Sequence, residues 1–114
     1  MMELSLPFPP SANHYYRHVG YRTLISREGR AYREMVCSLL ARMGIRPLAG
    51  GLVVRIELYP PDRRRRDADN SLKCLLDSLQ HGGAYKDDGQ IMRLSVEKRE
   101  PTPLGKVVVR IGKA

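Results

Sequence analysis

The stretch LVVRIELYPPDRRRRDADNSLKCLLDSL, residues 52–79, places a strand signal, a charged junction and a helix signal in direct succession. Residues 52–59 alternate apolar and polar side chains, which is typical of a β-strand with one buried face. Pro60 and Pro61 end that strand, because proline cannot donate to a β-ladder. The helical face that follows is apolar and consists of Leu72, Leu75, Leu76 and Leu79. The sequence therefore predicts a strand and a helix joined by a segment of unusual charge.

That junction combines four arginines with two aspartates spaced by one residue. Arginine suits phosphate, because its planar fork donates paired hydrogen bonds, so the junction is expected to bind DNA through Arg63, Arg64, Arg65 and Arg66. Closely spaced carboxylates repel each other unless a cation lies between them, and hard oxygen ligands favour Mg²⁺. A site for both phosphate and Mg²⁺ indicates phosphodiester chemistry. The alternative is a solvated charged loop in which Asp69 only caps the helix.

Composition indicates a single domain over residues 1–114 that binds nucleic acid. Lysine plus arginine exceed aspartate plus glutamate by 8, and the isoelectric point is about 9.9. No run is apolar enough to span a bilayer, and residues 1–10 carry no signal pattern, so a cytoplasmic location without membrane contact is expected. Cys37 and Cys74 lie far apart in helical patterns and are expected to be reduced.

The remaining segments complete a β-α-β-α-β-β order. Strands are expected over 1–8, 91–98 and 107–111, and a helix runs from the N-cap Ser26 to Met43. This order predicts an α+β fold of two layers, with helices packed on a small mixed sheet of about four strands. Residues 11–23 are interpreted as an irregular loop whose basic and aromatic side chains suit phosphate and unpaired bases: Tyr15, Tyr16, Arg17 and Arg22.

Three aspartates and one lysine are the candidate chemical groups. Asp67 and Asp69 project to the same side if the chain stays extended up to the helix, and Lys73 lies one helical turn further on. Asp88 follows the helix and reaches the same point only if the chain doubles back, which Gly82 and Gly83 would allow. Ordinary helix ion pairs for Lys73 and a solvated turn at Asp88 are the alternatives.

Four motifs resemble the RusA family of Holliday junction resolvases: residues 9–18, 26–33, 61–70 and 86–90. The four motifs occur in the same order as in the family and extend over nearly the whole chain. The most specific of them is the run of arginines followed by Asp-x-Asp-Asn. It implies a homodimeric endonuclease, encoded by a bacterial cell or a phage, that nicks four-way junction DNA symmetrically with Mg²⁺, or alternatively Mn²⁺. It also implies that the metal ligands are Asp67, Asp69 and Asp88 and that Lys73 is the essential lysine.

The resemblance leaves some residues open. Asp87 is either structural or a weaker ligand, and Leu24 occupies a place where a side chain inserted into DNA would be expected. Two other functions are considered. A non-catalytic basic DNA- or RNA-binding protein explains the charge but not the acids inside the arginine segment. A restriction-type nuclease is suggested by Pro61-Asp62 and by Glu97 with Glu100, but the acid-x-lysine pattern that its motif requires on a strand after a further acid is not convincingly present.

Overall fold

The computed structural model describes residues 1–114 apart from the side chain of Asn13. In chain order the elements are β1 (Met2–Leu6), α1 (Ala12–Tyr15), β2 (Tyr16–Val19), β3 (Arg22–Ile25), α2 (Arg27–Arg42), β4 (Leu52–Tyr59), α3 (Leu72–His81), β5 (Ile91–Lys98) and β6 (Lys106–Lys113). Short 3₁₀ turns at Ala68–Ser71 and Asp88–Gln90 precede α3 and β5. A helix long and apolar enough to cross a membrane is absent from the described part of the chain.

The main sheet has the strand order β1-β6-β4-β5, in which only β4 and β5 run parallel. The alternation of β4 buries one face completely, through Leu52, Val54, Ile56 and Leu58. The two long helices pack on that face with their own apolar stripes, which include Val36, Leu40, Leu75 and Leu79. The predicted α+β fold of two layers around a mixed four-stranded sheet is confirmed.

Helix α2 begins where the sequence predicts it. The Ser26 side chain accepts a hydrogen bond from the backbone N–H of Gly29 at 3.0 Å, which satisfies one of the free donors of the first turn. Both cysteines are free thiols, as expected. Cys74 is buried, and this burial raises the pKa of its thiol to about 12, so that it behaves as an unreactive core residue.

Residues 11–23 are not the irregular loop that the sequence suggested. They form the short helix α1 and the first strand of a two-stranded ribbon, β2–β3, in which Tyr16 pairs with Ile25 and Val19 with Arg22. Gly20 has a φ of +60°, and Tyr21 completes the two-residue loop. A positive φ at only the first loop position is the pattern of a type II′ turn, which suits the twist of a hairpin.

The parallel pairing of β4 and β5 decides where the candidate acids lie. Leu52 pairs with Ile91 and Leu58 with Lys98, so α3 carries the chain from one end of the sheet back to the other. The junction segment follows the end of β4, whereas Asp88 precedes the start of β5. The chain therefore does not double back after Gly82 and Gly83 in the way that a shared site within one chain requires.

Candidate functional site

Hydrogen bonds hold the junction segment in place at the end of β4. The Asp62 carboxylate accepts from the Arg64 backbone N–H at 2.9 Å and from Arg66 Nη1 at 2.7 Å. These bonds, that from Arg66 above all, lower the pKa of Asp62 to about 2. Lys98 Nζ donates to the Arg66 carbonyl at 2.7 Å, and the Arg66 guanidinium lies 5.7 Å from the centre of the Phe8 ring. The segment is thus tied to β5 and to the end of β1.

The four arginines of the junction differ in what they can contribute. Arg66 is committed to Asp62 and Phe8, and Arg63 lies 3.8 Å from Glu100 in an ion pair whose two side chains are both exposed. Arg64 and Arg65 form no side-chain ion pair with any described residue. They line a cleft of about 340 Å³ together with Pro9, Pro10, Ser11, His14, Asn70 and others. Arg64 and Arg65 are therefore the arginines most available to phosphate.

Asp67 and Asp69 stand at the entrance to α3. Asp67 has an extended backbone, with φ −79° and ψ 141°, and occupies the N-cap position of the 3₁₀ turn, while Asp69 lies inside that turn. Both side chains are exposed, as is Lys73 in the first turn of α3. No basic side chain in the described structure forms an ion pair with either carboxylate, although the chain carries a net charge of +8. The junction therefore keeps two free carboxylates inside a basic surface.

Asp88 is also exposed, but it lies at the other end of α3. Its backbone N–H donates to Gln80 Oε1 at 2.9 Å, and no basic side chain in the described structure forms an ion pair with its carboxylate. The neighbouring Asp87 has a structural role, because its carboxylate accepts from the Gly89 N–H at 2.9 Å as the cap of the 3₁₀ turn. Of the two roles considered for Asp87, capping is the one that these contacts support.

The distance between Asp88 and the other two aspartates follows from the elements between them. From Asp69, in the 3₁₀ turn before α3, to Gln80 near the end of that helix, eleven residue steps rise about 16 Å. Along β5, the distance from Ile91 to Lys98 is about 23 Å. Within the part of the chain that is described, no group of three or more His, Cys, Asp or Glu side chains could hold a metal ion. One chain brings Asp67, Asp69 and Lys73 to the same end of α3 but leaves Asp88 apart.

Tyr15 is not a DNA-contacting residue, contrary to the sequence interpretation. Its side chain is fully buried, and its hydroxyl donates to the Asp77 carboxylate. Arg33 completes the cluster by donating from Nη2 to the Tyr15 hydroxyl at 3.0 Å and to Asp77 Oδ2 at 2.6 Å. Burial and the hydrogen bond to Asp77 raise the pKa of Tyr15 well above its ordinary value. The cluster joins α1, α2 and α3, and no local sequence pattern marks it, since its members are far apart in the chain.

The other residues of the ribbon remain accessible. Tyr16 is half-buried, with its ring edge-on to Tyr15 at a centroid distance of 4.8 Å. Arg17 and Arg22 are exposed on β2 and β3. The base of the ribbon adjoins the cleft, because Ser26 donates to the carbonyl of His14 and His14 lines the cleft. The ribbon therefore extends the positive surface of the junction.

The acids of the restriction-type alternative are engaged elsewhere. Asp62 binds Arg66, and Glu97 lies 3.2 Å from Arg99. Arg99 also pairs with Glu57 at 2.9 Å, which makes Glu97 part of an ion-pair group on the open face of the sheet. These contacts give the acids of that motif structural partners.

The strong basic charge of this small α+β domain is the electrostatic footprint of a protein that binds nucleic acid. The family model described as endodeoxyribonuclease RusA matches residues 7–112, and the chain belongs to the RusA family. It is 43% identical over 110 residues to the crossover junction endodeoxyribonuclease RusA of Escherichia coli strain K12, and 44% identical over 110 residues to that of Shigella sonnei. The protein of the same name from Enterobacteria phage 82 is 43% identical over 109 residues. Each of these alignments covers 95% of this chain and 91% of the relative.

Proposed function

We propose that this chain is a single-domain endodeoxyribonuclease that resolves four-way DNA junctions by paired symmetric nicks during recombination and repair. The observation that supports this most is the position of Asp67 and Asp69, two exposed carboxylates without ion-pair partners that directly follow four arginines in a chain of net charge +8. In a protein that only bound DNA, such carboxylates would weaken the attraction of phosphate. The family membership and the names of the relatives support the same activity.

The donor set suits a hard divalent cation. Asp67, Asp69 and Asp88 offer carboxylate oxygens, which are the ligands that Mg²⁺ prefers, and Mn²⁺ is the alternative. When bound, the ion would neutralise charge on the scissile phosphate and lower the pKa of water. Lys73 would stabilise negative charge that develops on the phosphate, because it is exposed in the first turn of α3, directly after the 3₁₀ turn that contains Asp69. Arg64 and Arg65 hold the flanking DNA backbone in the cleft.

The separation of the acids makes the active unit a homodimer in this proposal. Asp67 and Asp69 of one protomer would share a metal ion with Asp88 of its partner, since Asp88 of the same chain lies at the far end of α3. A junction with two-fold symmetry needs two cuts in opposing strands, and a two-fold dimer presents two identical sites. The dimer would thereby supply the third metal ligand of each site and the second site that makes the second cut.

Strand β5 is the surface that suits this dimer. It is the eight-residue edge strand of the sheet, and its Met92 and Leu94 are 72% and 40% exposed. Such an exposed edge is a template for pairing with another strand. Two copies of β5 related by a two-fold axis perpendicular to the sheet run antiparallel. In a register centred near Leu94, the Ile91 end of one copy then lies beside the Lys98 end of the other, where Asp67 is found.

A mixing experiment tests the activity and the shared site together. Asp67→Asn and Asp88→Asn chains are each expected to bind a synthetic four-way junction without cutting it in Mg²⁺. Heterodimers prepared by co-expression restore one complete site, which combines the intact Asp67 of one chain with the intact Asp88 of the other. The expected product on a cruciform plasmid is therefore a nicked circle rather than a linear molecule.

The matched control is a heterodimer of Asp67→Asn with Asp69→Asn, in which both sites stay damaged and no nicking is expected. If the first mixture is as inactive as this control while wild-type protein cuts, the acids are not shared between chains. If wild-type protein binds the junction but gives no product with Mg²⁺ or Mn²⁺, the non-catalytic DNA- or RNA-binding function is the better one.

The proposed function also predicts the cellular location of the protein. We expect the protein to work in the cytoplasm of a bacterial cell, whether its gene is chromosomal or carried by a phage. The relatives support both origins, since they include proteins from Escherichia coli and from Enterobacteria phage 82.

A further inference from the structure

The tip of the β2–β3 ribbon carries an aromatic ring with nothing packed on it. The exposure of Tyr21 is 110% of its reference value, and Val19 beside it is 50% exposed. The two strands of the ribbon pair with each other, and the base of β2 packs on α1. From Tyr16 to the tip the ribbon projects roughly 15 Å. A large apolar side chain in this position has no role in the stability of the isolated chain.

The ribbon is nevertheless anchored firmly at its base. Tyr15 is fully buried immediately before β2, and the Ser26 backbone N–H donates to the Tyr15 carbonyl at 2.8 Å immediately after β3. Gly29 permits this close packing, because a Cβ at that position would lie 2.6 Å from the Tyr15 carbonyl oxygen. A two-residue turn at Gly20 and Tyr21 then limits the freedom of the tip. The ring is held out from the body of the protein on a short and defined support.

The charges around the ring indicate what it meets. No aspartate or glutamate occurs between Glu3 and Glu28, whereas Arg17 and Arg22 are exposed on the two strands below the tip. The base of the ribbon continues into the cleft of Arg64 and Arg65 through His14. An aromatic ring on a basic support is the arrangement with which proteins stack on unpaired bases while holding the phosphate backbone.

We infer that Tyr21 recognises the branch point of its DNA substrate by stacking on a base that the junction leaves unstacked. This inference rests on the proposed function and names the residue that distinguishes branched DNA from duplex DNA. In a continuous duplex every base already has two stacking neighbours, so the ring gains nothing there. At the centre of an opened junction the terminal bases of the arms have a free face, and each protomer of a dimer offers one ring to them.

Binding measured without divalent metal isolates this role, because it does not depend on cutting. The Tyr21→Ala variant is expected to lose roughly 5- to 150-fold in affinity for a four-way junction, which corresponds to the stacking of one base. Its affinity for a duplex of the same arm sequence stays unchanged. Tyr21→Phe keeps the ring and is expected to bind both DNAs as wild type does. A 2-aminopurine at the branch point should change in fluorescence with wild type and Tyr21→Phe, and not with Tyr21→Ala.

Several outcomes would overturn the inference. Equal losses for junction and duplex would mean that the tip contacts DNA without recognising the branch, and unchanged junction binding would mean that the ring is not used. A change from dimer to monomer in light scattering of Tyr21→Ala would make the ring a contact between protomers. If the wild-type protein bound junction and duplex with equal affinity, there would be no selectivity for Tyr21 to provide. Failure of the proposed function is separate, since it shows as intact junction binding without cleavage in Mg²⁺.

Discussion

Asp77 on helix α3 and Asp69 in the 3₁₀ turn before it are both acids, and they differ in what surrounds them. Asp77 in the middle of the helix is half-buried and held by Arg33 and Tyr15. Asp69, in the 3₁₀ turn that precedes the helix, is exposed and has no ion-pair partner among the described residues. This chain has an excess of positive side chains. A carboxylate that still has no basic ion-pair partner is available to a cation from solution. The comparison teaches that the buried pairing of Asp77 accounts for a structural role, whereas the proposed role of Asp69 depends on its exposed position beside the arginine segment.

The largest effect is expected from Asp69→Asn. Loss of a direct ligand should lower junction cleavage by at least about a hundredfold, because even the outer contacts of a metal site are worth 10- to 100-fold. The melting temperature should stay nearly constant, since the side chain contacts solvent. Single-turnover cleavage rates and calorimetry check both parts. A variant that melted much earlier than wild type would make Asp69 a structural residue, like Asp77.

The reverse result is expected from Asp77→Asn. Removal of the charge weakens the hydrogen bonds from Arg33 and should cost about 1–2 kcal/mol of unfolding free energy, which lowers the melting temperature by roughly 3–12 °C. Cleavage at low temperature should persist, because Asp77 is not a ligand in the proposed site. Thermal unfolding followed by circular dichroism measures the first part. Complete loss of cleavage in a folded Asp77→Asn protein would remove the distinction between the two acids.

Acid should weaken the Asp77 cluster in a defined direction. Burial opposes ionisation of Asp77, but the hydrogen bonds from Tyr15 and Arg33 outweigh it and lower the pKa of Asp77 below its ordinary 3.8. A lowered folded-state pKa gives stability that is present above the ordinary value and is lost as the pH falls through the folded value. The difference in melting temperature between wild type and Asp77→Asn should therefore be constant from pH 7 to about pH 5 and shrink below pH 4. A difference that grew on acidification would contradict this sign.

The smallest effect is expected from the arginines that line the cleft. Replacing Arg64 and Arg65 with alanine should leave the melting temperature unchanged and reduce the salt dependence of DNA binding by about one unit of slope for each phosphate that is no longer bound. The matched variant is Arg66→Ala, which removes the interactions with Asp62 and Phe8 and should loosen the segment as well. Filter binding between low and high salt measures the slopes. Equal slopes for wild type and the double variant would place the DNA elsewhere.

Most of the fold can be predicted because it follows periodicity. The alternation of residues 52–59 and the leucine face of α3 each depend on neighbours within a few positions. The ribbon is harder to predict, since its strands have only four residues each and their aromatic and basic side chains resemble a binding loop. The glycine at the first position of a two-residue turn, between β-prone residues, is the signal that could have found it.

The site is less predictable for a different reason. Asp67 and Asp69 are neighbours in sequence, so their proximity needs no tertiary information. The place of Asp88 depends on β5 running parallel to β4, which no local pattern encodes. The burial of Tyr15 depends in the same way on Asp77, which lies 62 residues further along the chain.

The parallel arrangement of β4 and β5 has a consequence for the safety of the host chromosome. Under the proposed shared site, a newly made copy without a partner would hold only part of the metal site, so single molecules at low concentration would leave ordinary DNA uncut. Under the proposed arrangement, cleavage requires dimer assembly, and the same assembly provides the sites for both incisions. The placement of the acids before and after one short helix would thus protect the genome from single, unpaired breaks.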